Sequence, residues 1–465
     1  MTHFFFADKW QPYWRELREL FRLSLPILLA QLALTGLGVV DTIMAGRVGT
    51  KDLAAIGVGS SLLFPIFMIA TGILLALTPL VAKQKGKQNW QGVTSFLHQA
   101  LWVALPLGLL SSLLLMNLQW VLNQLSLSPK VFQLTDDYLY YCAFGLPGIA
   151  LFQAFRFFWE GLGVTLPTLW ISFFALMINI PLNGLFVYGW GPVEAYGAAG
   201  CGIATAIVMW SMLGLSVWYV KKSRHTRHLV KLTAHQFQLP SWSNGIADLL
   251  NLGVPNTMAL LFEISLFSFI ALFIAHLGAV VIAAHQVTIS YTGLAFMVPL
   301  SFAMAITVRS GLAYGQASLS ALKISLRTGM SVAVLVSSGI ALFTLLMMNE
   351  IARVYTQDVE VIALASTLLI LAATYQVFDA IQVISAGALR GLHSTKVTMV
   401  VTFISYWLIG LGLGATFAFT DWIVPAMGVA GFWLGIVLGL ILAAFLLQLK
   451  LRFLMKRLTR TGELT

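Results

Sequence analysis

Charged residues are scarce in this chain. Asp, Glu, Lys and Arg make up 9% of its 465 residues, against ~25% in an ordinary soluble domain. So thin a polar coat excludes a water-soluble protein of this size. What replaces it is apolar: 59% of the residues are hydrophobic, gathered in runs of roughly 20 or more, enough to cross a ~30 Å hydrocarbon layer. The runs are too long and too uniformly apolar for the alternating strands of a β-barrel. Cysteine is nearly absent: Cys142 and Cys201 lie in apolar runs, form no metal-type spacing and read as packing residues. Also missing are GxxxxGK[ST], which excludes an ATP-driven pump within the chain, and HExxH and GxSxG. No run carries the repeating Arg ladder of a voltage sensor.

The apolar runs place membrane helices at about 20–46, 53–82, 95–117, 133–156, 165–189, 198–221, 247–276, 281–308, 322–348, 361–388, 397–419 and 426–449. The fold class is therefore all-α integral membrane with twelve transmembrane helices. An even count puts both termini on one side. Of 27 Lys and Arg, only Arg47, Lys51, Lys130 and Arg353 then fall on the opposite face, so the positive-inside rule makes both termini cytoplasmic. The net charge of +10 is a topology signal, not a sign of nucleic-acid binding. The N-terminal stretch with Trp10, Tyr13, Trp14, Arg15 and Arg18 precedes an apolar run too long for a signal-peptide core. It reads as an interfacial lead-in to the first helix.

The chain also repeats itself. At a shift of 229, residues 25–86 lie over 254–315 without a gap and 14 of 62 positions match. Among the matches are Pro26/Pro255, Gly49/Gly278, Thr78/Thr307 and Gly86/Gly315. At a shift of 230, Gly161, Thr165 and Thr168 match Gly391, Thr395 and Thr398. A six-helix half is duplicated. Because six is even, the copies are related by an axis along the membrane normal. This divides the chain into an N-lobe (1–220), a cytoplasmic linker (221–245) rich in Lys, Arg and His, and a C-lobe (246–465). Two membrane-embedded lobes suggest alternating access.

Three acids fall inside apolar runs: Asp41, Glu263 and Asp379. A charge at the bilayer centre costs ~2.5–3.5 kcal/mol, so such acids face protein or water and mark function. No basic residue on the same helix is placed to neutralise Glu263 or Asp379. Two unpaired acids in one lobe bind a cation, Na+ included, or hold a proton. Tyr375, one turn before Asp379, and Gln286 on the eighth helix offer further oxygens. In the N-lobe, Asn179 and Asn183 share a helix face, and Thr205 is placed to join them and Asp41. The acids do not obey the repeat, since Asp41, Glu263 and Asp379 lie over Ile270, Leu34 and Ile149.

VDTIMAGRVG (40–49), EGLGVTLPT (160–168), NIPLNGLFVYG (179–189) and QVISAGALRGLHSTK (382–396) resemble the multidrug and toxic compound extrusion (MATE) family, in particular its bacterial NorM branch. The likeness runs through nearly the whole chain. It implies two six-helix lobes around a central cavity and no enzyme activity or cofactor. It further implies a secondary active antiporter of the bacterial inner membrane, coupled to sodium or protons, that exports cationic amphipathic aromatic compounds. On these matches Asp41 is the N-lobe acid, Glu263, Asp379 and Tyr375 are the cation-site residues, and Gln286 is the C-lobe glutamine. Asn183 stands where some archaeal members carry Asp, which favours the C-lobe pair for coupling. Two alternatives compete: a flippase for lipid-linked precursors and an exporter of organic anions or siderophores. Both call for a cavity lined with Arg or Lys, and few basic residues fall within the spans. Nothing in the sequence demands more than a monomer.

Overall fold

A computed structural model of the chain describes residues 2–125, 127–190, 193–224, 226–227, 229 and 237–462. Among the described residues the chain is nearly all helical, with twelve spans if one bent pair is counted as one. In chain order these are α1 (Trp10–Val48), α2 (Thr50–Gly86), α3 (Trp90–Leu122), α4 (Pro129–Ala143 and Leu146–Gly161), α5 (Leu166–Tyr188) and α6 (Ala198–Lys222). The second half supplies α7 (Trp242–Leu277), α8 (Ala279–Gly315), α9 (Leu319–Tyr355), α10 (Val359–Gly391), α11 (Thr395–Phe419) and α12 (Val429–Thr461). In the basic linker, His225, His228, Lys231 and His235 lie outside the described residues.

Several spans depart from plain helices, each for a local reason. α1 begins about ten residues before its apolar run, because its amphipathic lead-in has partners. Leu20 and Leu23 are buried, and Glu16 receives a two-pronged hydrogen bond from Arg309, with Nε donating to Oε1 at 2.8 Å and Nη2 to Oε2. α4 bends by 47° between Ala143 and Leu146, where Pro147 removes a backbone donor and its ring crowds the preceding turn. α2 tightens at Leu75 for the same reason: Pro79 cannot donate to the Leu75 carbonyl, which takes the Thr78 N–H at 3.2 Å instead. In α11 the turns widen to an i→i+5 pattern over Phe403–Leu413. The stripe Gly431, Gly435 and Gly439 of α12 packs against α11, and a Cβ at Gly435 or Gly439 would run into the carbonyls of Gly410 and Ser405.

The duplication is carried by specific contacts. Thr78 Oγ1 donates to the Phe157 carbonyl at 3.3 Å, and Thr307 Oγ1 donates to the Gly387 carbonyl at 2.9 Å. A Cβ at Gly161 would stand 2.7 Å from Thr78 O, and one at Gly391 would stand 2.8 Å from Thr307 O. Thr and Gly recur at these positions because a hydroxyl satisfies a carbonyl of the neighbouring helix while the missing side chain lets the two backbones touch. Corner conformations repeat as well. Gln88 and Ala317 are left-handed (φ 57 and 54), as are Gly163 and His393 (φ 74 and 59).

The chain packs as two compact units, Pro26–Thr257 and Met1–Leu25 with Met258–Thr465. Their boundary falls inside α1 and α7, not in the 221–245 segment. The start of α1 therefore belongs with the second half and the start of α7 with the first. Phe21 meets Phe302 edge-on at 5.3 Å, whereas Asn256 Nδ2 donates to the Gly72 carbonyl at 2.9 Å.

Candidate functional site

In the first unit, four expected residues come together from three helices. Asp41 of α1 is buried. Its Oδ1 accepts from Asn183 Nδ2 at 2.6 Å and from Asn179 Nδ2 at 3.2 Å, both on α5. Its Oδ2 accepts from Thr205 Oγ1 of α6 at 3.1 Å. Asn183 Nδ2 also reaches Asn179 Oδ1 at 3.1 Å, as the four-residue spacing requires. All these donors are neutral, so the carboxylate is solvated by dipoles without being neutralised. Cys201 lies against the Asp41 carbonyl at 3.7 Å, and both it and Cys142 are buried, free thiols.

In the second unit, Tyr375 and Asp379 of α10 are buried and share a cavity of about 10 Å³ with Thr292 of α8, Ser337 of α9 and Gln376. Tyr375 stacks on Trp433 of α12 at 6.0 Å. Trp433 Nε1 in turn donates to His285 Nδ1 at 3.2 Å. Glu263 of α7 is half-buried. It does not line the cavity. Gln286 is exposed and does not line it either, so the expected α8 contribution comes from Thr292, six residues on.

Sequence reasoning misses three features here. By its place at the end of an apolar run Arg390 reads as a loop charge, yet it is buried on α10. It lies eleven residues after Asp379, three turns along the same helix face, which is the signal that could have found it. Arg156 of α4 is buried in an ion pair with Glu160 at 2.8 Å. Thr168 and Trp159 extend that pair, with Thr168 Oγ1 donating to Glu160 at 2.9 Å and accepting from Trp159 Nε1 at 2.8 Å. Gln376 and Ser337 carry no sequence signal, since single polar residues are common in membrane helices. Among the described residues, no three His, Cys, Asp or Glu side chains gather as a metal cluster. Asp41, Glu263 and Asp379 form no salt bridge among those residues either.

A twelve-span membrane protein made of two matching halves, each holding buried acids, is the architecture of a secondary transporter. The chain belongs to the MatE family, whose pattern it matches twice, over residues 26–185 and 255–416, with starts 229 residues apart. It is a transporter by that membership, not an enzyme. It is 41% identical over 450 residues to the multidrug resistance protein MdtK of Yersinia pseudotuberculosis, covering 97% of this chain and 98% of that one. With the probable multidrug resistance protein NorM of Shewanella oneidensis it shares 40% over 439 residues, 94% of this chain and 95% of that one. Solved structures share the fold. The eukaryotic MATE transporter AtDTX14 superposes with a TM-score of 0.86 at 20% identity, over 97% of this chain and 99% of that one. The Vibrio cholerae MATE transporter VcmN in the bent form gives 0.84 at 19% identity, over 98% and 100%.

Proposed function

We propose that this protein is a cation-coupled antiporter that exports cationic, amphipathic organic compounds by alternating access. In this reading sodium or protons drive it, both termini face the cytoplasm of a bacterial inner membrane, and a monomer suffices. The observation that carries the reading is the pair of buried carboxylates, Asp41 and Asp379, each in a membrane helix and neither in a salt bridge among the described residues. Such a charge costs ~2.5–3.5 kcal/mol at the bilayer centre, and taking up a cation or a proton relieves that cost. One charge crossing the membrane is worth ~2.3 kcal/mol per 100 mV, so an acid loaded on one side and emptied on the other taps the ion gradient. The curated relatives' multidrug-resistance names support organic compounds as the exported class. The acids favour cations among them, because an acidic surface attracts positive charge.

The test is dye efflux from proteoliposomes under an imposed sodium or proton gradient. Asp379→Asn should abolish gradient-driven efflux at unchanged protein level. Full activity in that variant would sink the reading.

A further inference from the structure

The lead-in of α1 does more than lean on α8. Between it, the end of α8 and the first turns of α9 lies a cleft of about 310 Å³, ten times the ~30 Å³ share of one water. Arg15, Glu16 and Glu19 line it from α1, Arg309 from α8 and Ile324 from α9. Two acids and two bases leave the lining with no net charge.

These charges are not all spent on one another. Arg309 meets Glu16 through Nε and Nη2, so its Nη1 stays out of that bond. Among the described residues Arg15 forms no ion pair, and Glu19 meets the well-exposed Arg22 at 3.6 Å, a surface contact worth little. Arg15 and Glu19 are four residues apart, so they share a face of α1 about one turn, ~6 Å, from each other. A base and an acid at that spacing match a ligand that carries both signs on a short linker. A bare anion would meet two carboxylates here, and a bare cation two guanidinium groups.

The level of the cleft points to lipid. Arg309 lies six residues before Gly315, where α8 ends, and Ile324 five after Leu319, where α9 begins. The cleft therefore sits where the spans leave the hydrocarbon. Trp10 and Trp14 of the lead-in are 53% and 67% exposed, as aromatic residues at a membrane interface are. The face of α9 that carries Ile324 continues down the span. Leu335, Leu342 and Leu346 follow it by 11, 18 and 22 residues, close to three, five and six full turns, and each is more than half exposed. An apolar bed for acyl chains thus leads away from a polar cleft of both signs.

We propose that this cleft binds a phospholipid with a phosphoethanolamine headgroup. Its phosphate sits on Arg15 and Arg309 Nη1, its ammonium on Glu19, and its acyl chains lie along the Leu335, Leu342 and Leu346 face of α9. A primary ammonium has three N–H donors for a carboxylate, as lysine has, whereas the quaternary nitrogen of choline has none. A phosphoglycerol headgroup would bring its negative charge beside Glu16 and Glu19 with no positive charge to offer them. The bound lipid bridges α1 to α8 and α9 alongside the Glu16–Arg309 pair.

Native mass spectrometry of the full-length protein tests this, with phosphatidylethanolamine, phosphatidylglycerol and phosphatidylcholine of identical chains added in equal amounts. The wild type should retain phosphatidylethanolamine over the other two. Arg15→Gln should weaken that retention about fivefold, the effect of one charge contact near a membrane surface. Glu19→Gln should erase the preference over phosphatidylglycerol, because the phosphate contact stays while the partner of the ammonium goes. Arg18→Gln, on the same helix but outside the cleft, should change neither. All three substitutions leave the Glu16–Arg309 pair in place. In nanodiscs, amide exchange of residues 10–25 in the wild type should slow when phosphatidylethanolamine replaces phosphatidylcholine, and should not respond in the Arg15→Gln, Glu19→Gln double variant. Equal retention of the three lipids by the wild type would overturn the proposal. So would a preference for phosphatidylglycerol, the mark of a plain basic patch, or unchanged phosphatidylethanolamine retention in both Arg15→Gln and Glu19→Gln.

Discussion

Asn183 holds Asp41 from across a helix boundary, its amide Nδ2 donating to Oδ1 at 2.6 Å. The bond is buried and reaches a carboxylate that has no charged partner among the described residues. Hydrogen bonds to charged groups contribute about 1.5–3 kcal/mol. Asn183→Leu should therefore lower stability by about that much, seen as an earlier thermal transition in detergent. Asn179→Leu, whose bond to Asp41 is longer at 3.2 Å, should cost less. Equal losses would show that the amides do not act through Asp41.

Gly161 and Gly391 allow the same close approach in the two units: a methyl added at either would stand 2.7 or 2.8 Å from the carbonyl of Thr78 or Thr307. Overpacking of this kind costs about 1–3 kcal/mol. Gly161→Ala and Gly391→Ala should each destabilise by that order. Because they lie in different units, the double variant should show nearly the sum. The check is detergent melting of the four proteins, in which strong non-additivity would argue against independent packing.

The Glu16–Arg309 pair fixes the lead-in of α1 on α8. Its arginine side chain is 24% exposed, so the full cost of breaking a buried pair does not apply. Glu16→Ala should loosen residues 10–25, read as faster amide exchange there, and stability should fall by about 1–2 kcal/mol. The charge-swapped double variant Glu16→Arg with Arg309→Glu should recover part of the protection.

His285 has one acceptor role, receiving the Trp433 N–H at 3.2 Å, and Trp433 in turn stacks on Tyr375. His285→Leu should leave the indole N–H orphaned, costing about 1–3 kcal/mol, and should disturb efflux through Tyr375. Trp433→Phe, which keeps a ring to stack on and removes the donor, should be milder. If both variants transport as well as the wild type does, the hydrogen bond does not position the tyrosine.

The frame was legible in the sequence because lipid imposes simple demands. Long apolar runs must be helices, and Thr78/Thr307 and Gly161/Gly391 recur since the same inter-helix contact is made twice. The bend at Pro147, the wide turns of α11 and the early start of α1 were not legible as geometry. The last two depend on their surroundings: small residues on α12 for one, Arg309 for the other. In the site, Asp41 with Asn179, Asn183 and Thr205 could be read from charge in an apolar run plus helical spacing. Asp379 and Tyr375 followed from the same rule. Gln286 pointed elsewhere because one residue of helical register separates a buried from an exposed face, while Arg390 was hidden by its proximity to a helix end.

The exchange of helix ends also bears on how the protein is made. The body formed by Pro26–Thr257 lacks its last segment until α7 leaves the ribosome, more than halfway through synthesis. Residues 1–25, made before it, wait for a body that begins at Met258. Neither half can finish folding alone. A cut in the basic linker would give two fragments that each hold a piece of the other, and they should become stable only when co-produced.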